Sequence, residues 1–272
     1  MNINMNFSVL LSLYNKEKAE YLNDCLKSIS EQSLKSNEIV IVLDGPVGNT
    51  LLEVIDKWSL ILPIKLLKLP TNVGLGQALN LGLEECTNEI VLRMDTDDVC
   101  LSDRFKLQAE TMEQDPTLML LGGCIAEYDE SLSTFLGNRI VPNDYDEIKK
   151  QAAFKNPFNH MTVAFRKKAV LSVGGYKHHA FMEDYNLWLR LIAGGYKVEN
   201  LDVVLVKART GNSMLLRRKG KEYIKSEIKL FKLKKELGLQ SFIMCFVVLV
   251  LRTIPRVLPP SLLRICYKLQ RK

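Results

Sequence analysis

An α/β protein built on a largely parallel sheet is predicted by three observations. Apolar, strand-like runs alternate with amphipathic helical stretches from residue 7 onward. Two of those runs stop abruptly at an acid, Asp44 and Asp95. The chain, at 272 residues, is long enough to bury a large core as one domain with an appendage.

Phe7 to Leu13 reads as a buried strand ended by Tyr14-Asn15. Ala19, Leu22, Cys25, Leu26 and Ile29 recur at helical spacing between Glu17 and Gln32, which predicts an amphipathic helix packed on the sheet. Ile39 to Leu43 is a second strand, closed by Asp44-Gly45. A helix over Leu51 to Trp58, a strand over Ile64 to Leu69, a loop over Thr71 to Gly76 and a helix over Gln77 to Glu85 follow. Glu89 to Met94 then delivers Asp95-Thr96-Asp97-Asp98. Ligands of open parallel sheets bind beyond the carboxyl ends of the strands, where Asp44 and Asp95 both fall.

Three carboxylates in four positions repel one another unless a cation or hydrogen-bond donors lie between them. A solvated acidic loop would explain the composition. Its place at the end of a hydrophobic strand favours a hard divalent cation, Mg²⁺ or Mn²⁺, which takes one or two protein carboxylates and leaves other positions to water and phosphate.

Ser102 or Asp103 can cap a helix running to Gln114, and Leu118 to Gly123 is another strand. The alternation then loosens through Ile140-Val141-Pro142, a polar helix from Asp144 to Ala153, and a short strand from Met161 to Phe165. His160 stands just before that strand; a lone histidine is more often structural than catalytic. After the Gly174-Gly175-Tyr176 turn, a helix over Met182 to Leu191 carries Glu183 and Asp184 in its first turn. There they either answer the helix dipole or serve as a positioned general base. Gly194-Gly195 ends this helix, and Val198 to Val206 reads as strand structure.

The charge is unevenly spread. Residues 207 to 272 carry a net +14 and the preceding 206 a net −8, within a total of +6. A lysine-rich helix over Tyr223 to Leu237 precedes an apolar run over Ser241 to Leu251. That run is too short for the ~20 residues a membrane span needs, and Arg252, Pro255, Arg256, Pro259 and Pro260 are expected to break it. The tail is therefore expected to lie on an anionic membrane surface; packing as a core helix or as a homo-oligomer interface is the alternative. Nucleic acid is disfavoured, because the tail lacks regularly spaced aromatics and the acidic strand ends would go unexplained. Six scattered cysteines without a Cys-x-x-Cys pair, and an N-terminus with no basic start, predict a cytoplasmic setting, peripheral on the inner face of the membrane.

The ordered set Ser8-Val9-Leu10-Leu11-Ser12-Leu13-Tyr14-Asn15, Val42-Leu43-Asp44-Gly45, Asn72-Val73-Gly74-Leu75-Gly76 with Asn80, Met94-Asp95-Thr96-Asp97-Asp98, Gly174-Gly175-Tyr176 and Glu183-Asp184-Tyr185 with Trp188 resembles glycosyltransferase family 2. The resemblance is greatest to bacterial members that build capsule, exopolysaccharide or O-antigen, and it covers roughly residues 7 to 210. It implies a GT-A fold over 1–215, with a nucleotide-binding half to about residue 123 and an acceptor half to 215, followed by a basic helical extension over 216–272. It also implies an inverting transfer from a nucleotide-diphosphate sugar, with UDP the expected nucleotide, to a lipid-linked glycan.

The resemblance assigns roles residue by residue. Asp44 would hydrogen-bond the base, with the backbone of Leu13, Tyr14 and Asn15 over it, and Asn72, Gly76, Asn80 and Thr96 lining the donor. Asp95 would reach the ribose side and, with Asp97, hold the metal; Asp98 has no assigned part. Asp184 would be the general base with Glu183 beside it, and His160, Tyr185 and Trp188 would stand on the acceptor side. Relatives often carry a cation before the asparagine, where this chain has Leu79. Arg209, with Arg217 and Arg218 as alternatives, is therefore expected to neutralise the diphosphate. A catalytically silent nucleotide-sugar-binding relative is the second reading.

Overall fold

Residues 5–211 and 220–257 are described by the computed structural model. β1 (Phe7–Leu13), β2 (Glu38–Leu43), β3 (Ile64–Lys68) and β4 (Ile90–Arg93) form a parallel set in the order β3-β2-β1-β4. β1, β2 and β4 are apolar at nearly every position because both faces of the sheet are covered there, while β3 at the edge carries exposed Lys65 and Lys68. One face packs on α1 (Ala19–Ser30), α2 (Asn49–Ser59) and α4 (Arg104–Gln114). α3 (Leu75–Glu85), α5 (Tyr145–Phe154), α6 (Lys167–Ser172) and α7 (Glu183–Ala193) cover the other. The crossover from β1 out to β3 and back to β4 opens a crevice above the carboxyl ends of β1, β2 and β4.

Beyond β4 the sheet becomes mixed. β8 (Ala164–Arg166) pairs antiparallel with both β4 and β6 (Leu118–Tyr128). β6 runs parallel to β9 (Lys197–Arg209), which closes on β5 (Val99–Cys100), and β7 (Phe135–Arg139) pairs with β6 off the main path. β6 passes straight through position 123, so the two halves share one strand and one sheet.

Several local expectations change. Gly76 lies inside the first turn of α3, because Gly74 takes φ +88° and starts the helix earlier than the loop pattern implied. Asp103 stands at the N-cap of α4 but makes no cap bond; its carboxylate accepts from Ser33 Oγ instead. Asp144 does cap α5, accepting from the N–H of Glu147 at 2.9 Å. Met161 belongs to a short 3₁₀ turn, His160–Thr162, so that strand begins three residues late.

The C-terminal pair is α8 (Lys221–Glu236) and α9 (Phe242–Val257). Arg252 does not break α9. Its guanidinium turns inward to Glu227 Oε2 (2.7 Å) and the carbonyl of Phe154 (2.9 Å), so its charge is matched inside the protein. Pro255 falls in the last turn of the helix, so its missing N–H costs one bond, to the carbonyl of Leu251, close to the end where the helix stops. The expectations for Arg217, Arg218, Pro259 and Pro260 lie outside the described residues.

Candidate functional site

The donor side is organised by Asp44. Its Oδ1 and Oδ2 accept from the N–H groups of Val73 (2.6 Å) and Gly74 (3.1 Å), and its carbonyl accepts from Asn72 Nδ2 (3.1 Å). Gly45 permits this approach: it takes φ +85°, and a Cβ there would lie 2.7 Å from the amide nitrogen of Asn72. Asn15 Oδ1 accepts from the N–H of Gly48, tying the ends of β1 and β2 together, while Tyr14 is exposed above the buried Leu13. The N-terminus of α3 points into the same space, and its Gly76 lies close to Glu183, with an added Cβ 3.4 Å from that residue's Cβ.

Asp95, Asp97 and Asp98 bring their carboxylate oxygens within 4.8 Å of one another. Burial, then the charges of Asp95 and Glu17, push Asp97 up to about 7. Burial and the two neighbouring aspartates push Asp98 well above the carboxylate range, although it accepts from the backbone N–H of Arg209 at 2.8 Å. An acidic cluster this short of compensating charge fits a hard divalent cation, which oxygen donors suit. Arg93, almost wholly buried, pairs with Asp95 Oδ1 while its Nε and Nη1 meet no acceptor among the described residues.

On the acceptor side, Glu183 and Asp184 occupy the first turn of α7. Burial first, then Asp184, pushes Glu183 up to about 7. Burial also raises Asp184, against the lowering effects of the Tyr185 N–H and of Asn156, whose Nδ2 donates to Asp184 Oδ2 at 2.6 Å. Arg93 pairs with Asp95, and its charge also reaches Asp97, Asp98, Glu183 and Asp184. Burial and then Arg93 hold His160 well below its ordinary range, leaving a neutral ring whose Nε2 meets the hydroxyl of Tyr176 at 2.9 Å.

Other expected site residues turn out to support the site from behind. Arg209 is not free to meet a diphosphate. Its guanidinium donates to the carbonyls of Glu130 and Asp97 and to Asp24 Oδ2, and stacks 4.1 Å from the centre of the Tyr21 ring. Both ends of the Asn80 amide are taken by the backbone of Tyr176, at 2.7 Å each, so Asn80 fastens α3 to the glycine turn. Thr96 is buried and donates to Glu17 Oε2. Trp188 is fully enclosed in an aromatic cluster with Phe158, His160 and Tyr176. Tyr185 is buried and donates to the carbonyl of Ala152 at 2.6 Å. Neither aromatic has surface to offer an acceptor.

Arg93 and Asn156 were not read from the sequence. Arg93 had a signal, a charged residue inside an apolar strand directly before the acids; Asn156 had none, because its partner lies 28 residues away.

The glycosyl transferase family 2 model matches residues 8–175. Over 98% of its length the chain is 47% identical to the amylovoran biosynthesis glycosyltransferase AmsE of Erwinia amylovora, covering 99% of that protein. It is 35% identical to a UDP-Gal:alpha-D-GlcNAc-diphosphoundecaprenol beta-1,3-galactosyltransferase of Escherichia coli, over 96% of this chain and 95% of that one. Among solved structures, the mannosyltransferase PcManGT of Pyrobaculum calidifontis, in complex with GDP-Man and Mn²⁺, superposes with a TM-score of 0.65 at 18% identity, covering 97% of this chain and 80% of that one. The GT-A architecture, the family motifs and these relatives agree: the chain belongs to glycosyltransferase family 2.

Proposed function

We propose that the chain transfers a sugar, with inversion, from a UDP-sugar to a lipid-linked glycan during assembly of a bacterial surface polysaccharide. The observation that carries this reading is the presence of two acidic sites that share the charge of Arg93: a cation-seeking cluster at the end of β4, and a raised carboxylate pair at the start of α7. The names of the two relatives support the polysaccharide, the uridine donor and the diphosphate-lipid acceptor.

In this reading residues 1 to about 123 bind the donor and 124–215 the acceptor. Asp44 and the backbone of residues 13 to 15 hold the base. Asp95 and Asp97 hold Mg²⁺ or Mn²⁺, which when bound supplies positive charge to the departing diphosphate. Asp184 takes the proton of the acceptor hydroxyl; the oxygen forms its bond to the anomeric carbon as the bond to the β-phosphate oxygen breaks, and UDP leaves with that electron pair. Release of nucleotide from a panel of UDP-, GDP- and dTDP-sugars, with and without Mn²⁺, tests the assignment. The expected result is metal-dependent release from a UDP-sugar. No binding or release with any donor overturns it.

The C-terminal pair supplies a surface for lipid. α9 buries Cys245 and Val248 and exposes Phe242, Ile243, Phe246, Val247, Leu251 and Ile254. Beside it α8 carries Lys221, Lys225, Lys229, Lys232 and Lys235. An apolar face flanked by lysines suits the anionic leaflet at the cytoplasmic face, and no described helix is long and apolar enough to cross it. Deleting α9 would also uncover Glu227, so Ile243→Asn with Phe246→Ser and Leu251→Asn is the cleaner test. These changes leave the buried side of α9 intact and are expected to move the protein from the membrane to the soluble fraction of lysed cells. An unchanged membrane fraction would remove the anchor role.

A further inference from the structure

The last four carbonyls of an α-helix have no partner within it, and at the end of α5, where Ala152 is buried and Phe154 exposed, side chains from three other helices reach them. Each of the final three carbonyls is met by a side chain from a different helix. Ala152 accepts from the Tyr185 hydroxyl of α7 (2.6 Å), Ala153 from Lys234 Nζ of α8 (2.6 Å), and Phe154 from Arg252 of α9 (2.9 Å). The clasp is itself linked: Lys234 also donates to the Tyr185 hydroxyl at 2.9 Å, and Arg252 pairs with the buried Glu227.

Two residues beyond this clasp stands Asn156. Its Oδ1 accepts from the N–H of Phe158 at 3.2 Å, which fixes the amide so that Nδ2 faces Asp184. Through Phe154 and Lys155, the position of Asn156 follows that of the α5 terminus. We propose that Asn156 is a positioning residue for Asp184, and that the C-terminal helix pair sets it through the three-carbonyl clasp at the end of α5. The proposal rests on Asp184 being the base of the transfer. It gives the tail a second role: helices that meet lipid on one side hold the acceptor-side carboxylate on the other.

The groups facing Asp184 are Glu183 and Tyr185 on its own helix, Arg93 from β4, Arg139 from β7, Tyr176 from the glycine turn, and Asn156. Among the described residues, Asn156 and the Tyr185 N–H give it hydrogen bonds that favour the charged form. Loss of the Asn156 bond should therefore raise the pH at which Asp184 ionises.

The test is a titration of the full chain labelled with ¹³C at the aspartate carboxyls, the Asp184 signal being identified by its loss in Asp184→Asn. In Asn156→Ala the midpoint should rise by about one pH unit, with the thermal melting temperature near that of the wild type. Arg252→Met should move it the same way by less. With a donor and acceptor in hand, kcat of Asn156→Ala at pH 7 should fall by up to about tenfold while the donor KM is unchanged. Should Asn156→Ala fail to fold, Asn156→Ser, which keeps a polar group beside the Phe158 N–H, takes its place. A midpoint unmoved in the Asn156 variant overturns the positioning role, and one moved there but not in Arg252→Met overturns the part given to the tail. Because the titration needs no turnover, an Asp184→Asn enzyme that keeps its rate would defeat the base assignment separately.

Discussion

Asp184→Asn is expected to lower transfer by about 10²–10⁴-fold while leaving donor affinity unchanged, since a general base contributes on that scale and stands apart from the nucleotide side. The substitution is close to isosteric, and an asparagine there still offers an oxygen to the Nδ2 of Asn156, so the first turn of α7 should hold. The pH profile sharpens the test. Glu183 is pushed up to about 7 and Asp184 is raised as well, and the base works only when deprotonated. Wild-type kcat should therefore climb as pH rises through the range in which the raised Asp184 ionises, above the ordinary carboxylate value. The Asn variant should have lost the limb along with the rate. Initial rates from pH 5.5 to 8.5, with donor binding measured by calorimetry, decide it; a variant that keeps most of its rate would reassign the base to Glu183.

The second large effect is expected at the acidic cluster. Asp97→Asn should cost about 10²–10³-fold in kcat/KM and remove the Mn²⁺ dependence of donor binding, because a metal's charge on a departing phosphate is worth several kcal/mol and each 1.36 kcal/mol is a factor of ten. Calorimetric titration of UDP into wild type and variant, with Mn²⁺ and with EDTA, provides the measurement. Equal affinity in all four combinations would show that Asp97 does not serve a cation.

The parallel half was legible because its signals are local. Apolar runs such as Ile39 to Leu43 and the spacing of Leu22, Cys25, Leu26 and Ile29 need no distant partner to be read. The mixed half was less so. β5 is two residues long and exists only through its pairing with Val206 and Lys207, more than a hundred positions away. β7 carries Gly137 and Asn138 on an exposed edge and has no apolar alternation to announce it. In the site, the acids were legible because clustered carboxylates conflict with folding unless something balances them. The supporting residues were not. Arg209 reads as a free cation because sequence shows a charge but not its destination, and Trp188 and Tyr185 read as acceptor-side residues because motif membership does not reveal burial.

The ladder that ends in Arg209 carries one more implication. β9 pairs with β6 over ten positions and with β5 over two, and its last residue gives its backbone N–H to Asp98 and its guanidinium to the carbonyl of Asp97. A one-residue slip in that ladder would turn every side chain to the opposite face and pull both bonds from the acidic loop. Insertions and deletions between residues 197 and 209 should therefore be lethal to function even where the core would absorb them. The turn from Asp129 to Thr134 is bound into the same arrangement, because the carbonyl of Glu130 accepts from the Arg209 guanidinium at 3.0 Å.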